Sequence, residues 1–100
     1  MKPREMIEVI DGFRYNTSTA TLIAGNNYWS HCSFERSGRN AYLYRTLNGK
    51  YFATYVTHWQ GELDRLEPLT QGAAIKMFEN LPKKLVEFSE AFPGVTVEEA

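Results

Sequence analysis

Two histidines and one cysteine are the residues best suited to chemistry in this chain of 100 residues. Cys32 directly follows His31, and His58 stands further along. A cysteine nucleophile needs a base in hydrogen-bond reach, a group that orients the base, and donors for the oxyanion. The sequence around Cys32 carries no local signature of these, so a small side chain in a loop is the better reading. A small cysteine-dependent hydrolase is kept as the second alternative function. His31, Cys32, His58 and Asp64 would be the zinc ligands if there were any, but structural zinc sites take four Cys or His ligands at close spacings. Neither Cys-x-x-Cys nor His-x-x-x-His occurs, so no metal is expected. Gly-x-x-x-x-Gly-Lys-Ser/Thr and Gly-x-Gly-x-x-Gly are also missing, so no phosphate-cradling loop and no cofactor is expected. The carboxylates gather toward the carboxy terminus, where solvated helix faces account for them. The chain reads as a non-enzyme.

Binding chemistry is better represented. Arg14, Arg36, Arg39, Arg45 and Lys50 are interleaved with Tyr and Trp, the composition of a base-stacking platform. Gly49 to Val56 resembles the aromatic central-strand motif of RNA-recognition domains, without that motif's internal glycine and without a βαββαβ order ahead of it. The plainer reading makes these tyrosines cross-strand pairs and core lids. Nucleic acid is therefore the alternative partner, held by an Arg/Tyr sheet face. Glu62, Asp64, Glu67, Glu79, Glu87 and Glu90 offer the opposite sign, a surface for a basic groove on a protein partner. Tyr28, Trp29 and Phe34 lie in irregular polar sequence, and Trp, Tyr and Arg dominate interface hot spots.

These residues must be positioned by a small fold. A chain of 11.5 kDa suits one domain, residues 1–100, with one core. No apolar run approaches the ~20 residues of a membrane span. The charged start Met1-Lys2-Pro3-Arg4-Glu5 has no apolar stretch behind it, so no signal peptide is expected. A single cysteine fits the reducing cytoplasm. At 43% hydrophobic and 14% aromatic residues the chain is folded, and a net charge of −1 argues against a basic nucleic-acid glove.

The charge is uneven, with seven basic and four acidic residues in 1–60 and four against eight in 61–100. Eleven of the aromatics fall between Phe13 and Trp59, which favours strands there, whereas the Ala/Leu/Glu/Lys-rich remainder favours helix. Met6–Ile10 reads as a strand, Asp11-Gly12 as a turn, Phe13–Tyr15 as its return and Thr21–Ala24 as a third strand. Gly25 to Asn40 is a long loop, of the length that usually carries function. Ala41 to Thr57 is a Tyr-rich hairpin around Asn48-Gly49. A two-residue loop would place Tyr42, Tyr44, Tyr51 and Tyr55 on one face. A three-residue loop with a glycine bulge would instead gather Tyr42, Tyr44, Phe52 and Val56, the more apolar set. Asp64–Glu67 reads as an edge strand that Pro68 ends. Thr70 caps a helix through about Leu81, with Ala74, Met77, Phe78 and Leu81 on one stripe. Pro82 kinks it or opens a second helix, whose Leu85, Phe88 and Phe92 continue the spacing until Pro93-Gly94. The expected fold is α+β: an antiparallel sheet of about four to six strands in 1–68, one or two helices in 69–92 packed on one face, and a tail over 93–100.

Ile10-Asp11-Gly12-Phe13-Arg14-Tyr15-Asn16-Thr17, Leu22-Ile23-Ala24, Leu43-Tyr44-Arg45-Thr46-Leu47-Asn48-Gly49-Lys50-Tyr51-Phe52 and Pro68-Leu69-Thr70 together resemble a group of small phage and plasmid accessory proteins. The resemblance spans about residues 7–78 and carries over no catalytic residue. It implies stoichiometric binding of the anti-CRISPR kind, here an inhibitor of a bacterial defence complex such as a CRISPR effector. The chain would act as a monomer or small homo-oligomer. The expected contacts are Tyr28, Trp29, Arg36 and Arg39 from the mid-chain loop, with Glu62, Asp64 and Glu67 from an acidic edge. As an interface anchor, Trp29 replaced by Ala should lose ~2 kcal/mol or more of binding with little change in unfolding midpoint. A loss of ~3–5 kcal/mol in fold stability would make it a core lid instead.

Overall fold

A computed structural model of the chain describes residues 5–25, 39–57 and 64–97, with the side chains of Arg39 and Thr57 left aside. The chain is α+β. Strands β1 (Ile7–Ile10) and β2 (Phe13–Asn16) form a two-stranded hairpin of their own. Its turn residues Asp11 and Gly12 have φ of 53° and 82°, the left-handed pair that matches the twist of the flanking strands. The main sheet contains β3 (Thr21–Gly25), β4 (Arg39–Arg45), β5 (Tyr51–Thr57), β6 (Arg65–Leu69) and the two-residue β7 (Lys83–Lys84). Its order is β6-β5-β4-β3-β7, antiparallel throughout.

The β4–β5 hairpin takes the three-residue loop. Thr46 N donates to Lys50 O at 2.8 Å and Gly49 N to Thr46 O at 3.0 Å, leaving Leu47-Asn48-Gly49 as the turn. Gly49 has φ +82°, which a residue with a Cβ adopts only at a cost. Tyr44 therefore faces Phe52, and Tyr42, Tyr44, Phe52 and Val56 share a side of the sheet.

The β1–β2 hairpin covers that side. Tyr15 meets Phe52 edge-on at 5.5 Å between ring centroids, and Tyr44 stacks on Phe52 at 5.0 Å. The opposite side carries Leu43, Tyr51, Ile23 and Ala24 beneath Ala74, Phe78, Leu81, Ala91 and Phe92. A bulge between Leu22 and Ala24 makes this possible. Leu22 packs with the hairpin layer, whereas Ile23 and Ala24 both reach the helical layer, which strict alternation forbids. Gly25 follows because a Cβ there would meet the Tyr42 ring at 3.1 Å.

Helix α1 (Gln71–Asn80) starts where expected, with Thr70 Oγ1 accepting from Ala73 N at 3.2 Å. The expectation of helix across 69–92 fails after Asn80. Leu81 is extended at φ −79°, ψ 129°, because the ring of Pro82 disfavours helical backbone in the residue before it. The chain then pairs with the open edge of β3, Gly25 opposite Lys83 and Ala24 opposite Lys84, and Leu85 N donates to Ile23 O at 3.0 Å. Only Phe88–Ala91 (α2) returns to helix, anchored by the Tyr51 hydroxyl donating to Ala91 O at 2.8 Å. Nor does Pro68 end β6: it stands opposite Phe52, and the strand runs on to Leu69. An edge strand tolerates proline because one row of its backbone groups needs no partner.

Two buried groups yield tests. Thr54 is fully buried, and its Oγ1 has no hydrogen-bond partner among the described residues. It lies near the Tyr44 phenol without reaching acceptable bonding geometry, so Thr54→Val should raise stability by about 1 kcal/mol in denaturant titrations. Burial, and next the neighbouring Tyr42, pushes the Tyr44 phenol up to about 12 from 10.0, and the Thr54 hydroxyl only partly offsets this. Below pH 10 the phenol is neutral whether folded or not, and stability is untouched. Between pH 10 and about 12 the unfolded chain alone ionises, so stability falls as pH rises. Tyr44→Phe should remove a loss on the order of 2–3 kcal/mol across that window, read as the difference between the two proteins' unfolding free energies.

Candidate functional site

Antiparallel pairing brings the end of β3, the start of β4, the end of β5 and the start of β6 toward one end of the main sheet. Arg39 stands opposite Thr57, Tyr55 opposite Arg65, and β3 ends at Gly25 opposite Tyr42 of β4. The residues that bound 26–38 and those that bound 58–63 therefore lie at this end. Tyr28, Trp29, Arg36 and Glu62 belong to those segments and lie outside the described residues, as do His31, Cys32 and His58. Of the expected contact residues, the structure places Arg39 at the first position of β4, Asp64 just before β6 and Glu67 within β6.

The side chains described at this end form a mixed cluster. Tyr55 is half-buried on β5, and the Arg65 guanidinium carbon lies 4.3 Å from its ring centroid. Arg65 Nη1 donates to Glu67 Oε2 at 3.3 Å, with the two side chains 62% and 46% exposed. Burial raises the Tyr55 phenol above its usual value, the Glu67 charge adds to this, and Arg65 opposes it. An ion pair this exposed contributes less than ~1 kcal/mol to folding. Its consequence is geometric, since a cation is held over an aromatic ring near the surface.

Of the acidic edge expected from Glu62, Asp64 and Glu67, Glu67 is ion-paired with Arg65. Tyr55 and Arg65 are not among the expected contact residues. Their pairing depends on the register of β5 against β6, which nothing local to either residue specifies.

Among the described residues, most rings of the expected Arg/Tyr stacking platform are turned into the core. Tyr42, Tyr44, Tyr51 and Phe52 are buried, as are Ala53, Thr54 and Val56 of the stretch likened to an RNA-recognition strand. Lys50 places its ammonium 4.2 Å over the Phe13 ring instead. Among the described residues no group of three or more His, Cys, Asp or Glu could hold a metal ion, and no helix is long and apolar enough to cross a membrane. Comparison with protein-family models, curated proteins and solved structures found no match.

Proposed function

We propose that the chain is a non-enzymatic protein-binding module that inhibits a bacterial defence complex, a CRISPR effector in the first instance, by stoichiometric binding. Occupying the effector would block nucleic-acid access or a conformational step. The observation that carries the reading is the Arg65 guanidinium held over Tyr55 at the sheet end formed by the start of β6 and the end of β5. Arg and Tyr, with the Trp29 of the adjoining segment, are the residue types that supply most binding energy at protein interfaces.

The resemblance to mobile-element accessory proteins supports the same reading in a particular way. Its matched residues build the scaffold: Gly12 and Gly49 turn hairpins, Tyr15, Leu43, Tyr44 and Phe52 fill the core, and Thr70 caps α1. Partner choice then belongs to the residues between and after those blocks, which include 26–38, 58–63, Tyr55 and Arg65. Loops set on a rigid scaffold commonly carry recognition.

Immobilised full-length chain should capture one effector complex from host lysate, identified by mass spectrometry. Arg65→Ala should weaken that association by ~2 kcal/mol or more while unfolding shifts by less than ~1 kcal/mol. Retention of DNA or RNA by the isolated chain, lost steeply with salt, would instead establish the nucleic-acid alternative.

A further inference from the structure

The opposite edge of the main sheet carries a surface of different chemistry. Between the end of α1, the extended segment after Pro82 and α2 lies an open depression of ≈ 650 Å³. Phe78, Leu85, Val86 and Phe88 supply its apolar part, with the Phe78 and Phe88 rings 6.0 Å apart and tilted by 66°. Glu79, Glu87 and Glu90 border it, all exposed.

Lys84, the cation that lines the depression, is engaged elsewhere than on these carboxylates. Lys84 Nζ donates to Leu81 O at 2.6 Å and to Glu79 O at 3.5 Å, and it lies 5.4 Å over the Phe78 ring. It is engaged with carbonyls at the end of α1, where a cation complements the helix dipole. Glu79, Glu87 and Glu90 form no ion pair among the described residues.

We propose that this depression docks a cationic amphipathic segment of a partner protein. One apolar side chain would rest on Leu85, Val86 and the half-buried Phe88 ring, and flanking Arg or Lys would face the three carboxylates. Charge sign selects the occupant: an anionic segment or a nucleic-acid backbone meets three carboxylates at the border, whereas guanidinium groups gain both carboxylate and aromatic partners. The proposal rests on the reading of the chain as a protein-binding module but concerns a surface separate from Arg65.

The test uses purified full-length chain and a short fluorescent peptide alternating Arg and Leu, with a Glu/Leu peptide as control. The Arg/Leu peptide should bind at low ionic strength and the control should not. The combined variant Glu79→Gln, Glu87→Gln, Glu90→Gln should weaken binding about tenfold or more with the unfolding midpoint unchanged. Leu85→Ser, at a side chain 37% exposed, should weaken it without unfolding the chain. Amide NMR shifts on adding peptide should concentrate between Phe78 and Glu90. Equal binding of both peptides, undiminished binding by the triple variant, or shifts confined elsewhere would overturn the proposal. So would dimerisation that excludes the peptide, which would assign the surface to a second copy. Arg65→Ala should leave peptide affinity unchanged, so failure of the lysate capture and failure of this site are read separately.

Discussion

A central hairpin buried on both of its faces is the constraint around which the rest of this protein is arranged. Alternation along β4 and β5 sends Tyr42, Tyr44, Phe52 and Val56 to one side and Leu43, Tyr51 and Ala53 to the other, and all seven are buried. Neither side can be left to water, since each large apolar side chain contributes roughly 1.5–3 kcal/mol on burial. The β1–β2 hairpin closes the first side and the helical segment closes the second. Layering on both faces of an antiparallel sheet is less common than one solvated face, and here it follows from the aromatic content of the central strands.

The two edges of the sheet are handled by different means. β6 is short and contains Pro68, which suits a strand whose outer row of backbone groups stays unpaired. At the other edge the two-residue β7 occupies part of β3, and the bond from Leu85 N to Ile23 O extends that cover. This second solution also determines the surface. Because the chain after Pro82 is drawn onto the sheet rather than continuing α1, Leu85 and Val86 are left beside Phe78 and Phe88, with glutamates on either side. One backbone decision thus protects an edge and shapes a depression.

The division between scaffold and surface follows the same physics. Buried rings such as Tyr44 and Phe52 have every direction filled by neighbours and offer nothing to a partner. Among the described residues, the groups exposed to one include Arg65 over Tyr55 at the sheet end, the carboxylates near α2, and Ile7, Val9 and Phe13 of the first hairpin. Opposite edges consequently differ in character, one mixed and aromatic, the other apolar with an acidic border.

Features that depend on neighbours in the chain were legible from the residues alone. Asp11-Gly12 and Asn48-Gly49 announce turns because they tolerate positive φ, Thr70 announces a helix start because its hydroxyl reaches the N–H three residues on, and the apolar face of the β4–β5 hairpin selects its loop length. At the candidate site, Arg39, Asp64 and Glu67 were legible as charged residues near strand ends. That Tyr55 and Arg65 would meet was not, because cross-strand partners are set by a register with no local signature. The spacing of Leu81, Leu85, Phe88 and Phe92 suggested a second long helix, yet only the Phe88–Ala91 turn is helical. Periodicity records which residues seek the core, and an extended segment can deliver Phe88 and Phe92 there as well. The open hydrogen-bonding edge of β3 decided between the two, and that edge exists only once the sheet has formed.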